Sequence, residues 1–214
     1  MSTPSEPSLS GTSLLSRVPV VPVVVVDDLA HAVPVARALV AGGLPVIELT
    51  LRTPVALDAI RAIASEVPEI LIGAGTIVTP GQAKEARDAG AQFLVSPGST
   101  PTLLGAMADT GLPFLPGTAT VSEVLAVLEA GYTELKFFPA EASGGAAFLK
   151  SIAAPVPAAR FCPTGGITAA SAASYLALPN VGCVGGSWLT PADALATGDW
   201  DRVARLAREA AALR

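Results

Sequence analysis

The chain contains few of the residues on which metal and hydrolytic chemistry usually depend. Its 214 residues include one histidine, His31, and two cysteines, Cys162 and Cys183. With one imidazole, no cysteine pair at ligand spacing and no acidic cluster at a strand end, we expect no metal site. A hydrolytic triad also lacks its parts. His31 lies in a helical pattern, where a surface or half-buried position is expected.

Charged residues and long apolar runs are scarce as well. Charged residues make up 14% of the chain and the net charge is −5, which disfavours nucleic-acid binding because phosphates require a basic surface. No apolar run reaches the roughly 18 residues of a membrane-spanning helix. Both cysteines fall in apolar runs, so we interpret them as core residues in a reducing, cytoplasmic setting.

The order of elements predicts one α/β domain. The start of the chain is rich in Ser, Thr and Pro, which predicts a flexible tail over residues 1–16 and a folded domain over 17–214. Eight strand-like runs alternate with helical patterns, and they cover residues 18–26, 46–51, 70–77, 93–96, 114–118, 135–138, 160–163 and 181–184. Their even spacing predicts a (β/α)8 TIM barrel. An open doubly wound sheet is the alternative, but it is disfavoured because no Gly-x-Gly-x-x-Gly turn follows the first strand.

One of the three lysines has an unusual setting. Lys84 and Lys150 lie in helical patterns, whereas Lys136 lies in the apolar, aromatic run 134–140. Burial disfavours a charged ammonium group, and this cost makes chemical sense for an amine that must act as a neutral nucleophile in Schiff-base formation. The structural alternative is a lysine at a strand end that extends its amine to solvent.

The second strand places polar residues on one face. Glu48, Thr50 and Arg52 alternate with apolar residues, and in a barrel this polar face should point towards the interior near the C-terminal ends of the strands, where barrel active sites lie. An inward carboxylate and an inward guanidinium indicate a functional site. The alternative is a structural Glu48–Arg52 ion pair that fills the barrel.

Several predicted strands end in small residues. Residues 73–76 end the third strand, and Thr76 offers a hydroxyl there; Pro97 follows the fourth. Each segment alone is equally compatible with a plain turn. Thr164 with 165–166, and 185–187, end the last two strands. Glycine-rich ends at these positions often bind phosphate through backbone N–H groups.

Taken together, these segments resemble a known family. The resemblance extends from about Val20 to the C-terminus, without departures at the matched positions, and rests on residues 47–53, 73–76, 94–98, 135–141, 160–167 and 185–189. These runs are similar to those of the bifunctional 2-keto-3-deoxy-6-phosphogluconate (KDPG) and 4-hydroxy-2-oxoglutarate (KHG) aldolases. The resemblance implies a class I aldolase with a barrel fold, no metal or other cofactor, and commonly a homotrimer.

The resemblance also implies a role for each matched residue. Lys136 is expected to form the Schiff base and Glu48 to transfer protons. The pyruvate half of the substrate is expected to contact Arg52, Thr76, Pro97 and Phe138. The aldehyde and phosphate end is expected to contact Thr164, Gly165, Gly166, Gly186 and Ser187.

The expected reaction is cleavage of KDPG to pyruvate and glyceraldehyde 3-phosphate, and also of KHG to pyruvate and glyoxylate. The expected partner is a small 2-keto acid, with no nucleic acid and no membrane. Alternatives are an aldolase that prefers the galactonate epimer or an unphosphorylated acid, a phosphate-binding barrel isomerase or epimerase without an imine, and a non-catalytic sugar-phosphate binding protein.

Overall fold

A computed structural model describes residues 13–213 of the chain. Within that range there are nine strand segments and nine α-helices, which alternate except that β5 is followed directly by β6 and α8 by α9. The strands are β1 Val20–Val24, β2 Val46–Thr50, β3 Leu71–Gly75, β4 Phe93–Val95, β5 Phe114–Leu115, β6 Gly117–Thr118, β7 Glu134–Phe137, β8 Arg160–Pro163 and β9 Val184–Gly186. The helices are α1 Ala32–Ala41, α2 Ala56–Glu66, α3 Pro80–Asp88, α4 Pro101–Ala108, α5 Val121–Glu129, α6 Gly145–Ile152, α7 Ala169–Leu176, α8 Ala192–Thr197 and α9 Trp200–Ala211.

The strands form a curled parallel arrangement. Six of them pair in the order β5-β4-β3-β2-β1-β9, and three pair in the order β6-β7-β8. All of these pairings are parallel. The predicted α/β class and parallel sheet are therefore confirmed. Parallel alignment brings the C-terminal ends of the strands to one edge, and this edge positions the candidate site.

Backbone contacts link the two sheets on both sides. The predicted fifth strand, 114–118, is present as β5 and β6, which Pro116 separates because proline has no N–H to donate to a ladder. The N–H of Lys136 in β7 donates to the carbonyl of Pro116 at 2.9 Å. On the other side, isolated parallel bridges join Phe161 to Val181 and Thr164 to Gly185.

Local signals explain where several helices begin. Helices α3, α5 and α7 each follow a threonine whose hydroxyl accepts a hydrogen bond from the third helical residue, and each has a complete capping box. Close packing joins the first helix to the last, because a Cβ at Gly42 would lie 2.4 Å from the Cβ of Ala207 in α9. The two ends of the domain are therefore in contact.

The structure differs from the prediction at three places. Helix α8 was not predicted, and the last strand, expected at 181–184, is Val184–Gly186. The predicted tail ends too late: Leu14–Ser16 forms a 3₁₀ helix with Leu14 and Leu15 buried. A Cβ at Gly182 would lie 2.5 Å from the Cβ of Leu15, so this glycine leaves room for the leucine. Residues 1–12 of the predicted tail lie outside the described residues.

The core agrees with the sequence pattern. Ile47 and Leu49 of β2 are completely buried, and both cysteines are buried. His31 is half-buried and makes an edge contact with the ring of Trp200, with the centroids 5.5 Å apart. Over residues 13–213, no helix is both long and apolar enough to cross a membrane.

Candidate active site

A buried ion pair occupies the interior of the strand arrangement. Glu48 lies on β2 and Lys136 on β7, and the Lys136 Nζ lies 3.1 Å from the Glu48 Oε1. The Lys136 side chain is only 5% exposed and the Glu48 side chain only 3%. The expectation that Lys136 is buried is therefore correct, and the alternative of an amine extended to solvent is wrong. The alternative of a Glu48–Arg52 pair is also wrong, because the ion partner of Glu48 is Lys136.

This ion pair is a poor source of stability. At 3.1 Å and an effective dielectric constant of about 20, the gross attraction between unit charges is about 5 kcal/mol. Removing two ions from water costs several kcal/mol for each ion, which offsets that attraction. Apolar residues of similar volume would suit the interior at least as well. The pair is therefore better explained by chemistry than by folding.

Gly75 provides the space that the Glu48 carboxylate occupies. A Cβ at position 75 would lie 2.2 Å from the Glu48 Oε1 and 2.6 Å from its Cγ, which is closer than any side chain tolerates. The absence of a side chain on β3 therefore permits the position of the carboxylate on β2. The small residue at the end of β3 therefore accommodates a side chain of the protein, Glu48.

Arg52 and Thr76 meet where β2 and β3 end. Arg52 is exposed, and its Nε donates to the Thr76 Oγ1 at 3.3 Å. Thr76 has a φ of 61°, the left-handed region that β-branched residues rarely adopt. Such backbone strain of about 1–3 kcal/mol is typical of functional sites. The two residues expected to hold one carboxylate are therefore adjacent.

Phe138 and Pro97 lie beside the lysine strand. The Lys136 Nζ is 5.2 Å from the centroid of the Phe138 ring, within the range of a cation–π contact. Pro97 approaches Gly117, where a Cβ would lie 2.2 Å from the proline carbonyl carbon, and Gly117 pairs with Lys136 in the sheet. Both predicted residues are thus near Lys136.

The glycine-rich ends of β8 and β9 are neighbours. Thr164 forms a parallel bridge with Gly185, and a Cβ at Gly185 would lie 2.1 Å from the Thr164 Oγ1. Gly165 and Gly166 follow with φ values of 104° and 80°, which favour glycine. The exposed Ser187 follows Gly186 at the end of β9. The predicted phosphate-end residues therefore occupy two adjacent strand ends.

Phe138 connects the two halves of the candidate site. A Cβ at Gly165 would lie 3.3 Å from the Phe138 ring, so the ring that faces the lysine amine also packs against the first glycine of the turn after β8. The lysine and the predicted phosphate end are thus separated by one aromatic side chain.

The sequence prediction missed a polar pair next to this region. The Tyr175 hydroxyl in α7 donates to the Glu141 Oε1 at 2.6 Å. Burial and the Glu141 carboxylate raise the pKa of Tyr175 above its ordinary range. The only sequence signal was the position of Glu141 directly after the lysine strand. Tyr175 lies 34 residues further along the chain, so no local pattern could have joined the two.

Two further observations concern the rest of the described chain. Among residues 13–213, no group of three or more His, Cys, Asp and Glu side chains is placed to hold a metal ion. A cleft of about 340 Å³ lies between α4 and α5, lined in part by Leu104 and Tyr132, and it contains none of the predicted site residues.

A lysine–glutamate pair is buried inside the curled parallel sheet, and an arginine and glycine-rich turns lie at the strand ends. This arrangement is typical of enzymes that perform carbonyl chemistry through a lysine amine. The sequence model of the family described as "KDPG and KHG aldolase" matches residues 12–206. The KHG/KDPG aldolase of Escherichia coli (strain K12) is 57% identical over 201 residues, covering 94% of each chain. The chain belongs to the KDPG and KHG aldolase family.

Solved structures support the same assignment. The KDPG aldolase of Legionella pneumophila, with pyruvate captured as a covalent carbinolamine intermediate, is 46% identical with a TM-score of 0.91, covering 92% of this chain and 96% of its own. The KDPG aldolase of Zymomonas mobilis ZM4 with 3-phosphoglycerate is also 46% identical, with a TM-score of 0.88 and 94% of each chain covered. The predicted family and enzyme class, a carbon–carbon lyase, are confirmed.

Proposed function

We propose that this protein is a class I aldolase that cleaves KDPG to pyruvate and glyceraldehyde 3-phosphate, and KHG to pyruvate and glyoxylate. The observation that carries the proposal is the buried contact of 3.1 Å between the Lys136 Nζ and the Glu48 Oε1. It joins an amine that can attack a ketone to a carboxylate that can move the protons.

The first half of the reaction forms the imine. The neutral Lys136 amine attacks C2 of the 2-keto acid and gives a carbinolamine. Glu48 lies within hydrogen-bond distance of the amine and transfers the protons needed to expel water. The resulting iminium ion withdraws electrons from C3, so the reaction requires no metal or other cofactor.

The second half breaks the carbon–carbon bond. Glu48, acting through a water, accepts the proton of the C4 hydroxyl, and the C3–C4 bond then breaks. The aldehyde leaves, and the bonding electrons form an enamine on Lys136. Protonation at C3 and hydrolysis by water release pyruvate and regenerate the amine.

The remaining residues orient the substrate. Arg52 and Thr76 bind the pyruvate carboxylate, which both can reach because they already touch each other at 3.3 Å. Pro97 and Phe138 pack against the pyruvate carbons. Thr164 orients the aldehyde half. The phosphate binds to backbone N–H groups and the hydroxyl at two adjacent strand ends, which comprise Gly165, Gly166, Gly186 and Ser187.

The same proposal includes the finer fold and the assembly. The two sheets form one closed (β/α)8 barrel, with β5 and β6 as a single strand interrupted at Pro116; the backbone contacts on both sides of the three-stranded sheet support this. The protein is a cytoplasmic homotrimer. Light scattering should give a mass of about 64 kDa, three times the 21.4 kDa chain, and a mass of 21 kDa would exclude the trimer.

Borohydride trapping tests the imine. Treatment with pyruvate and borohydride, followed by peptide mapping, should leave a stable adduct on Lys136. Lys84 and Lys150 serve as internal controls, because both are exposed on helices. An adduct on either control, or no adduct, would overturn the assignment. The absence of an adduct would favour an isomerase or epimerase, or a binding protein.

The Glu48→Gln variant tests proton transfer. The amide retains the volume and polarity of the side chain but does not accept the proton. We expect adduct formation to remain measurable while cleavage slows by about a hundredfold or more, the usual weight of a general base. Unchanged turnover would remove Glu48 from the mechanism.

A pyruvate-release assay with KDPG, its galactonate epimer and an unphosphorylated acid, with a chelator present, distinguishes the remaining candidate substrates.

A further inference from the structure

The pair of Tyr175 and Glu141 has no role in the mechanism above. Tyr175 is 1% exposed, and its hydroxyl donates to the Glu141 Oε1 at 2.6 Å. Glu141 begins the 3₁₀ helix Glu141–Ser143 just after the lysine strand, whereas Tyr175 lies in α7. A short hydrogen bond that joins a buried tyrosine to the carboxylate of a 3₁₀-helix residue restricts both side chains.

Glu141 contacts the turn after β8 in two ways. Its backbone N–H donates to the carbonyl of Gly165 at 3.1 Å. Its side chain packs against Gly166, where a Cβ would lie 2.8 Å from the Cβ and 2.7 Å from the Cγ of Glu141. The Glu141 side chain therefore packs directly behind Gly166, while its backbone N–H is bonded to Gly165, so Glu141 contacts both glycines of the turn.

The surroundings of Tyr175 support its hydrogen bond to the Glu141 side chain. The Tyr175 hydroxyl is protonated at neutral pH, as any tyrosine with an ordinary pKa of about 10 is, so it is available as a hydrogen-bond donor. The backbone closes on the pair from a second side, because a Cβ at Gly145 would lie 3.1 Å from the Tyr175 hydroxyl oxygen and 3.6 Å from the Glu141 Oε2. Gly145 therefore lies next to both members of this hydrogen bond.

We propose that Tyr175 and Glu141 are positioning residues that hold the Gly165–Gly166 turn in the shape that receives the substrate phosphate. They thereby favour phosphorylated over unphosphorylated 2-keto acids. This inference rests on the proposed function, which assigns the phosphate to that turn. Without the tyrosine hydroxyl, the carboxylate turns away and the glycine N–H groups lose their alignment. The Lys136–Glu48 contact does not involve either residue, so imine formation is unaffected.

Steady-state kinetics on two substrates test the inference. We expect Tyr175→Phe and Glu141→Ala to lower kcat/KM for KDPG by about tenfold, mainly through KM, which is the effect of losing one hydrogen bond. For KHG, which has no phosphate, kcat/KM should stay within about twofold of the wild type. Glu141→Gln should retain most activity on KDPG, because its amide oxygen accepts the same hydrogen bond and its methylene groups still pack against Gly166.

Two comparison variants separate the possible failures. Tyr132→Phe changes the other tyrosine, whose ring centroid lies 4.6 Å from that of Phe114. It should leave kcat/KM unchanged for both substrates. Ser187→Ala removes a proposed phosphate contact and should also impair only KDPG. Suppose that Ser187→Ala lowers kcat/KM for KDPG only, but the Tyr175 and Glu141 variants lower kcat/KM for both substrates equally, or for neither. The positioning role is then refuted, while the phosphate assignment stands.

If no variant, Ser187→Ala included, distinguishes the two substrates, the phosphate assignment itself fails and this inference fails with it. If Tyr175→Phe does not fold, Glu141→Ala decides the question, because Glu141 is exposed and its truncation leaves the core intact.

Discussion

A single added methyl group at Gly75 should displace the carboxylate of Glu48, the proposed general base, while leaving the glutamate side chain itself unchanged. In Gly75→Ala, the new Cβ would lie 2.2 Å from the Glu48 Oε1, 2.6 Å from its Cγ and 2.7 Å from its Cδ. An ordinary contact between these atoms exceeds 3 Å, so the carboxylate must move by about 1 Å. The hydrogen bond to the Lys136 Nζ, at 3.1 Å, would then be broken or badly aligned.

The size of the effect follows from this displacement. A misplacement of about 1 Å in a catalytic group costs about a hundredfold in rate. The forced shift in a packed interior also costs about 1–3 kcal/mol of stability. Since the three atoms nearest the new methyl group all belong to Glu48, borohydride trapping of pyruvate should still label Lys136, while cleavage of KDPG slows.

Pyruvate release provides the assay, and two further variants make it decisive. Gly105→Ala adds the same methyl group on α4, where no atom lies within 4 Å, and should leave activity unchanged. If Gly75→Ala acts through Glu48, then combining it with Glu48→Gln should slow cleavage no further than Glu48→Gln alone. Full activity in Gly75→Ala, or additive losses in the double variant, would refute the reasoning.

Two further predictions concern stability. Lys136→Met should lower the free energy of unfolding, measured in urea, by about 3–5 kcal/mol, because it leaves Glu48 buried without its cation. The matched Lys150→Met, at an exposed position, should change this free energy by less than about 0.5 kcal/mol. Equal losses in the two variants would contradict the account of the ion pair. The raised pKa of Tyr175 means that folding keeps its proton bound, so its contribution is fully present below about pH 10, the ordinary tyrosine value, and decreases as the pH rises above it. Urea unfolding at pH 9 and 11 should therefore show a steeper loss in the wild type than in Tyr175→Phe, and parallel losses would count against the Tyr175–Glu141 hydrogen bond.

Local patterns were sufficient for most of the fold. Strand alternation at 47–51 and the helix caps operate over a few residues, so they predicted nearly all elements to within a few positions. They failed where the local signal was weak. Helix α8 has only six residues, and the N-terminal 3₁₀ helix owes its place to the burial of Leu14 and Leu15, a tertiary effect.

For the candidate site, too, the sequence was sufficient for some features and not for others. The types of the key residues were readable from the sequence, since a lysine in an apolar strand and a carboxylate on an alternating strand stand out by themselves. Their partners were not readable. Glu48 and Lys136 are 88 residues apart, and only the pairing of the strands brings them to 3.1 Å.

By itself, the sequence determined the family, the parallel α/β class and the candidate residues, because each of these depends on residue type and short spacing. The tertiary structure alone decided that Lys136 pairs with Glu48 rather than leaving Glu48 to Arg52, and that Gly75 makes room for that carboxylate. It also decided that Tyr175 bonds to Glu141, whose side chain packs against Gly166 in the turn after β8. These relations join residues that are distant in the chain, and they arise only when the curled sheet brings separate strands together.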